Sequence, residues 1–101
     1  MNNSNLLHGE YKIPNGKLVV IDLKVIEGRL QEVSLSGDFF MEPPETLDVL
    51  NAAITGLPID SSPEFIKKTI EDSINPEVTM YGLTVDGIVT VIQRAVACRN
   101  K

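Results

Sequence analysis

The side chains most able to do chemistry in this sequence are few and lie far apart. The only histidine, His8, and the only cysteine, Cys98, are separated by ninety residues. A zinc or iron–sulfur site needs three or four clustered ligands, so no metal site is predicted. Nucleophilic catalysis with a histidine base would have to use His8, which we expect on the surface, at the start of a strand in a mobile segment.

Cys98 falls in the last turn of the final predicted helix, next to Arg99. The helix dipole disfavours a thiolate at that end of a helix, although the arginine favours one. We therefore expect the thiol to be buried between Ala95 and Ala97 rather than reactive.

Carboxylates and glycines offer no stronger catalytic candidates. Glu71-Asp72, and Glu42 with Glu45, occupy predicted exposed positions where acidic residues serve solubility or the helix dipole. A phosphate-binding loop leads into a helix, whereas the segment that ends in Gly16-Lys17 leads into a strand. The sequence predicts no catalytic residue.

The composition is typical of one small globular domain. The 101 residues are 43% hydrophobic and 23% charged, which suffices for one core and is too apolar for intrinsic disorder. Fourteen acidic against nine basic residues give a net charge of −5, which disfavours nucleic acid and anionic membranes as partners. The sequence shows no disulfide framework, membrane span or secretory signal, so we expect a cytoplasmic protein.

We expect residues 1–7 to form a flexible N-terminus, residues 8–98 a single domain, and residues 99–101 a polar C-terminal tail. The start at Met1 and the polar end favour a separate subunit over a fragment of a longer chain.

The elements that must position these side chains begin with three strands, at residues 10–13, 17–25 and 30–37. Asn15-Gly16 after Pro14 predicts the first turn, and Glu27-Gly28-Arg29 the second. Alternation predicts that one sheet face is buried, with Val19, Ile21, Leu23, Val25, Val33 and Leu35 pointing inward. Leu18 and Val20 place apolar surface on the opposite, wet face, which is typical of a contact site.

Three helices are predicted to cover the buried face. Pro43-Pro44 precedes the first, Ser61-Ser62-Pro63-Glu64 opens the second with the spacing of a capping box, and Thr84 with Asp86 opens the third. Their apolar stripes are Leu47, Leu50, Ala53 and Ile54; then Phe65, Ile66, Ile70 and Ile74; then Ile88, Val91, Ile92, Ala95 and Val96. Strands followed by helices predict an α+β fold, a three-stranded antiparallel meander with three helices packed on one face.

The segment from Gly37 through Asp38, Phe39 and Phe40 differs from its surroundings. Adjacent side chains of a strand point to opposite faces, so both rings cannot enter one core if the strand continues. Either the chain bends at Gly37 and buries both rings under the first helix, with Asp38 accepting backbone N–H groups, or one ring serves an interface.

These residues resemble a known family, the small accessory (C-terminal) domain of lipoate–protein ligases, in particular the small subunit of archaeal two-part ligases. The matching segments are Tyr11-Lys12, Gly16-Lys17-Leu18-Val19, Glu27-Gly28-Arg29-Leu30, Ser36-Gly37-Asp38-Phe39-Phe40, the segment 50–57 and Gly82-Leu83-Thr84. Archaeal relatives usually carry Gly-Gly-Lys in the first turn, where this sequence has Asn15-Gly16-Lys17, and asparagine also tolerates left-handed geometry.

The resemblance implies an accessory domain over residues 8–98 that docks on the catalytic subunit of the ligase. That partner would bind lipoate and ATP with Mg²⁺, form lipoyl-adenylate, and pass the lipoyl group to a lysine of a lipoyl-carrier domain. The accessory domain would be required for adenylation without supplying catalytic residues or binding a cofactor alone. We expect the docking residues to be Asn15, Gly16, Lys17, Leu18, Val20, Asp38, Phe39 and Phe40, with Lys17 reaching the phosphates or a partner loop.

Two other interpretations stay open. The family's small domain is similar in fold to iron–sulfur scaffold and sulfur-transfer accessory proteins, so the chain would be a sulfur-transfer or cluster-assembly helper acting through Cys98. Alternatively, it is a homo-oligomeric interaction module whose apolar edge pairs with itself.

Overall fold

Three antiparallel strands form the first third of the protein in the computed structural model, which describes residues 6–98. They are β1 (Leu6–Lys12), β2 (Leu18–Ile26) and β3 (Arg29–Gly37), hydrogen-bonded in the order β1-β2-β3. The predicted meander is confirmed. Its two short turns contain Asn15-Gly16 and Glu27-Gly28, as the sequence predicts.

β1 begins earlier than expected. Leu6 pairs with Lys24, and Leu7 is buried in the core. The expectation of a flexible N-terminus is therefore wrong for Leu6 and Leu7. Burial of the Leu7 side chain removes apolar surface from water, which stabilises the strand at this end. Residues 1–5 and the expected polar tail, residues 99–101, lie outside the described part of the chain.

A β-bulge interrupts the pairing of β2 with β3. Asp22 pairs with Ser34 but Lys24 pairs with Gln31, so β3 has one additional residue, and Glu32 has a positive φ of 52°. The additional residue changes the alternation, which allows Leu30 and Val33 to point into the same core.

Three helices follow: α1 (Thr46–Ile54), α2 (Pro63–Ser73) and α3 (Val85–Ala97). The side chain of Ser62 accepts a hydrogen bond from the Phe65 N–H at the start of α2, and that of Thr84 accepts one from the Gly87 N–H at the start of α3. These side chains satisfy N–H groups that the first turn leaves free. The predicted start of α3 is confirmed, and α2 starts in the predicted segment, but its cap is Ser62 and not Ser61 of the expected capping box.

The predicted apolar stripe of α2 is wrong at one position. Ile66 and Ile70 are buried, but Phe65 is exposed. Phe65 is adjacent to Ile66, so its side chain points about 100° away around the helix, outside the buried face.

A second small sheet was not predicted. β4 (Phe40–Glu42) pairs antiparallel with β5 (Thr79–Tyr81), with Met41 opposite Met80. The segment containing Met80 and Tyr81 is therefore a short strand. It joins the region after β3 to the region before α3.

The inner face of the three-stranded sheet and the helices enclose one hydrophobic core. Its fully buried members include Ile21, Leu23, Leu35, Leu50, Ile54, Ile70, Ile88 and Ile92. The contact between α3 and β1 is closest at Gly9, where an added Cβ would lie 2.7 Å from the backbone oxygen of Val91. The fold is α+β, as expected, and none of the helices within residues 6–98 packs on the outer face of the sheet.

The free edge of β3 is closed by side-chain and loop contacts. Asn51 Oδ1 accepts a hydrogen bond from the Leu35 N–H at 3.0 Å. Further along the edge, the Leu30 N–H donates to the Leu57 carbonyl and the Gly56 N–H donates to the Leu30 carbonyl. These bonds satisfy strand groups that would otherwise be open to another chain. Within residues 6–98, no helix is long and apolar enough to cross a membrane.

Candidate docking site

The first turn has the predicted left-handed geometry. Asn15 has a φ of 61°, the Gly16 N–H donates to the Ile13 carbonyl at 2.8 Å, and the Ile13 N–H donates to the Lys17 carbonyl at 3.2 Å. Lys12 Nζ adds a hydrogen bond to the Gly16 carbonyl at 3.0 Å. Asparagine tolerates a positive φ better than most side chains, so the turn forms without a second glycine.

Lys17 connects this turn to the second sheet. Its backbone N–H donates to the Gly82 carbonyl at 3.0 Å, and the aliphatic part of its side chain lies over the Gly82 backbone. Gly82 has a φ of 79°, so both the conformation and the lack of a side chain suit this position to glycine. Lys17 itself remains exposed.

Leu18 connects the turn to the segment after β3. The Asp38 backbone N–H donates to the Leu18 carbonyl at 3.1 Å, and an added Cβ at Gly37 would collide with that carbonyl. The close approach of the chain to Leu18 therefore requires glycine at position 37. Asp38 takes part through its backbone N–H in this bond, whereas the sequence suggested a role for its carboxylate.

The two phenylalanines have different environments. Phe39 is partly buried and packs against the core, whereas 59% of Phe40 is exposed. The Phe40 ring stacks on that of Tyr81, with ring centroids 4.6 Å apart and planes inclined by 19°. The alternative in which both rings are buried under α1 is therefore wrong, because β4 continues the chain as a strand and turns Phe40 outward.

Next to the stacked pair is a cavity of about 230 Å³, lined by Phe39, Phe40, Met41, Glu42, Pro44 and Leu47. Five of these six residues are apolar. Tyr81 and Leu18 add exposed apolar surface nearby, with 45% and 37% of their surfaces exposed. An exposed apolar cluster with a neighbouring cavity is typical of a protein-binding surface.

The structure thus brings the predicted site residues together along one edge of the molecule. We call this surface the docking edge and define it as Asn15, Gly16, Lys17, Leu18, Val20, Asp38, Phe39, Phe40, Tyr81 and Gly82. Val20, on the outer face of β2, pairs with Ser36 of β3 and is partly buried. Sequence reasoning missed Tyr81 because nothing in a three-residue strand indicates its partner. Gly82 was singled out only as part of the resemblance.

A charged cluster lies beside Val20 on the outer sheet face. His8 Nδ1 is 2.6 Å from Asp22 Oδ1, and His8 Nε2 is 2.8 Å from Glu10 Oε2. The hydrogen bond to Asp22, and secondarily the one to Glu10, raises the pKa of His8 above its usual 6.5. His8 was expected in a mobile segment, but it is fixed in β1 opposite Asp22.

Cys98 was expected to be buried, and this is wrong. Ala95 is buried, but Ala97 and Cys98 are exposed at the end of α3, where the helix has passed the edge of the core. Cys98 Sγ lies 3.6 Å from the His8 carbonyl oxygen. Within residues 6–98, no group of three or more His, Cys, Asp or Glu side chains is arranged to hold a metal ion.

One solved structure has a similar fold. It comes from the archaeal lipoylation system of Thermoplasma acidophilum and is described as a bi-partite lipoate protein ligase and its E2 lipoyl domain. The likeness has a TM-score of 0.71 and 24% sequence identity, and it covers 86% of this chain and 93% of that chain. No protein-family model and no curated protein matches this sequence. The likeness shows that the two chains share a fold over nearly their full length.

Proposed function

We propose that this chain is a noncatalytic accessory subunit of a lipoate–protein ligase. It docks on the catalytic subunit and is required for ATP-dependent formation of lipoyl-adenylate ahead of protein lipoylation. The observation that carries the proposal is the fold likeness to a chain of the T. acidophilum bi-partite ligase system, which extends over 93% of that chain.

The positions of the resembling residues support this proposal. The segments Gly16-Lys17-Leu18 and Gly37-Asp38-Phe39-Phe40 are separated in sequence, yet the bond from the Asp38 N–H to the Leu18 carbonyl places them side by side. Gly82 joins them through Lys17. Residues that carry a resemblance and also form one exposed surface are better explained by a shared interaction than by a shared core.

A docking subunit can promote adenylation without contributing a reacting group. If the active-site loops of the catalytic subunit exchange between open and ordered states, a subunit that binds the ordered state more tightly increases its population. The docking edge offers the stacked pair Phe40 and Tyr81 as an apolar anchor. Lys17 would extend beside it toward the phosphates of ATP or a loop of the partner, while ATP, Mg²⁺ and lipoate would bind on the catalytic subunit.

The solved structure is described as containing a lipoyl domain as well as the ligase. If the similar chain were that lipoyl domain, a chain of this fold would be an acceptor of the lipoyl group instead of a ligase subunit. The two roles leave different chemical marks. An acceptor gains a covalent lipoyl group on a lysine, whereas an accessory subunit stays unmodified after many turnovers.

Reconstitution tests the proposal. The catalytic subunit encoded in the same genome is mixed with ATP, Mg²⁺ and lipoate, with and without this chain, and lipoyl-adenylate and pyrophosphate are measured. We expect lipoyl-adenylate and pyrophosphate to form above background only when the chain is present. Intact-mass measurement of the chain after the reaction should show no added lipoyl group.

A control separates the two half-reactions. Chemically synthesised lipoyl-adenylate is supplied to the catalytic subunit and a lipoyl-carrier domain, so the adenylation step is bypassed. Transfer should then proceed without this chain. Adenylation that is unchanged by the chain, or lipoylation of the chain itself, would contradict the proposal.

A further inference from the structure

A second surface shares no residue with the docking edge. A cavity of about 290 Å³ opens between the start of α1 and the end of α2, and its lining includes Glu45, Thr46, Val49, Ile74, Glu77 and Val78. We call it the acidic cavity. Val49 is 42% exposed although it is aliphatic and lies in a helix, so part of the wall is uncovered apolar surface.

Two acidic residues, Glu45 and Glu77, line the acidic cavity, and no basic residue is among its lining residues. The chain segments that supply the lining are also acidic. Residues 42–50 and 71–78 contain six of the fourteen acidic residues of the chain and none of its nine basic residues. They therefore contribute −6, while the rest of the chain contributes +1 to the net charge of −5. Among the described residues, Asp72 is the only one of the six in an ion pair, with Lys68 at 3.4 Å.

The two helix ends next to the cavity differ in how they accommodate acidic residues. Asp48 lies in the first turn of α1, where a carboxylate stabilises the positive end of the helix dipole. Asp72 lies in the last turn of α2, where its partner is Lys68 from the preceding turn. The last turn itself has no basic residue, and Ile74 in the cavity wall follows it. Acidic residues at the negative end of a helix raise its free energy, and cations from another molecule would lower it.

We propose that the acidic cavity binds a lysine- or arginine-rich segment of a partner protein, with one apolar side chain of that segment inserted against Val49. Charge complementarity identifies the occupant: a second copy of this chain would bring further negative charge, and nucleic acid would be repelled. The volume is sufficient for one aliphatic side chain, and the rim carboxylates of Glu45 and Glu77 can pair with flanking cations.

The probes for the test are two synthetic peptides of equal charge, one alternating lysine with leucine and the other alternating lysine with serine. Binding to the full chain is followed by fluorescence anisotropy at about 0.05 M and about 0.5 M salt. We expect the leucine peptide to bind more tightly than the serine peptide at both salt concentrations, and both to weaken at the higher one.

Two variants locate the binding. The double variant Glu45→Lys with Glu77→Lys should weaken binding of the leucine peptide about tenfold. Glu27→Lys with Glu32→Lys changes the net charge equally at the β2–β3 turn and the β3 bulge, outside the cavity lining, and should have a much smaller effect. Val49→Gln should remove the preference for leucine over serine and leave the serine peptide unaffected. Thermal unfolding of each variant verifies that it is folded.

Equal losses in the two double variants would show that only net charge matters, and would overturn the proposal. So would a preference for leucine that persists in Val49→Gln, or no binding of either peptide. None of these measurements involves lipoate or a ligase, so their failure is distinct from failure of the proposed function.

Discussion

The ring of Phe40 stacks on the ring of Tyr81 at the surface, although the two residues are 41 positions apart in the sequence and belong to different halves of the second sheet. Stacked aromatic pairs contribute about 0.5 to 1.5 kcal/mol beyond area burial, and exposed aromatic residues are frequent anchors of protein interfaces. The pair therefore holds β4 against β5 and presents one rigid apolar face.

Replacing Phe40 with alanine should weaken docking on the catalytic subunit more than it weakens the fold. We expect a loss of about 1 to 2 kcal/mol in binding free energy, measured by titration calorimetry, and about 1 kcal/mol or less in the free energy of unfolding. Phe65→Ala is the matched control, because Phe65 is also an exposed phenylalanine but lies on α2. Equal binding by both variants would exclude Phe40 from the interface.

Gly82 should tolerate alanine less well than Gly28. Both have a φ near 79°, at 79° and 78°, but an added Cβ would meet the Lys17 side chain at Gly82 and nothing within 4 Å at Gly28. We expect Gly28→Ala to cost about 1 kcal/mol of unfolding free energy for backbone strain alone. Gly82→Ala should cost about 1 to 2 kcal/mol more for the collision, measured by urea unfolding.

A double variant isolates the contact between Lys17 and Gly82. Lys17→Ala removes the Cγ atom that the new methyl would meet, so it should recover part of the stability lost in Gly82→Ala and none of that lost in Gly28→Ala. Absence of recovery would mean that Lys17 does not lie over Gly82 in solution.

Gly9→Ala should be among the most damaging substitutions of a single methyl group. The new Cβ would lie 2.7 Å from the Val91 oxygen and 2.8 Å from the Ala95 nitrogen, and both are backbone atoms of α3 that cannot rotate away. We expect a loss of about 2 to 3 kcal/mol in the free energy of unfolding, measured by urea titration. Ser34→Ala, on the outer face of the same sheet, should change it by less than about 0.5 kcal/mol.

The contribution of His8 to stability should decrease with rising pH. Its hydrogen bonds to Asp22 and Glu10 raise its pKa in the folded state above the 6.5 of the unfolded chain, so folding favours the protonated ring. The stabilisation is complete below pH 6.5, provided that both carboxylates stay ionised, and is lost as the pH passes the folded pKa. The difference in unfolding free energy between the wild type and His8→Gln should thus be larger near pH 6 than at about pH 8.5.

NMR titration of the His8 ring separates the two carboxylates. Asp22→Asn should lower the His8 pKa more than Glu10→Gln does, because the hydrogen bond to Asp22 is the larger cause of the shift. If the difference in unfolding free energy between the wild type and His8→Gln grew as the pH rises, a stabilising role of the protonated His8 ring would be contradicted.

Cys98→Ser should leave ligase activity unchanged if the chain is an accessory subunit. The thiol is exposed and lies 3.6 Å from the His8 carbonyl oxygen, so we expect a change in stability within about 0.5 kcal/mol. Loss of activity in a reconstituted lipoylation assay, with the fold intact, would favour the sulfur-transfer alternative instead.

The main elements could be predicted because their signals are local. Asn15-Gly16 sets a turn, Ser62 and Thr84 cap helices, and alternation around Ile21 places one face of β2 inside. Each signal depends on neighbours within a few residues, so it can be read without knowing the rest of the fold.

The features that escaped prediction depend on distant partners or on element ends. β4 and β5 are three residues each, too short for alternation to identify, and become strands only by pairing with each other. Phe65 and Ile66 are adjacent apolar residues at the start of α2, and the sequence alone does not show which of the two faces the core. Cys98 lies one residue beyond the end of α3, so the helical pattern no longer determined its burial.

Asn51 and the chain around Leu57 seal the β3 edge of the three-stranded sheet. At the opposite edge, among residues 6–98, the side chains of Arg94 and Cys98 reach the Glu10 and His8 carbonyls of β1. Fibrils grow by strand addition only when a sheet offers two open edges. Because the β3 edge is sealed, association of copies through this sheet stops at pairs.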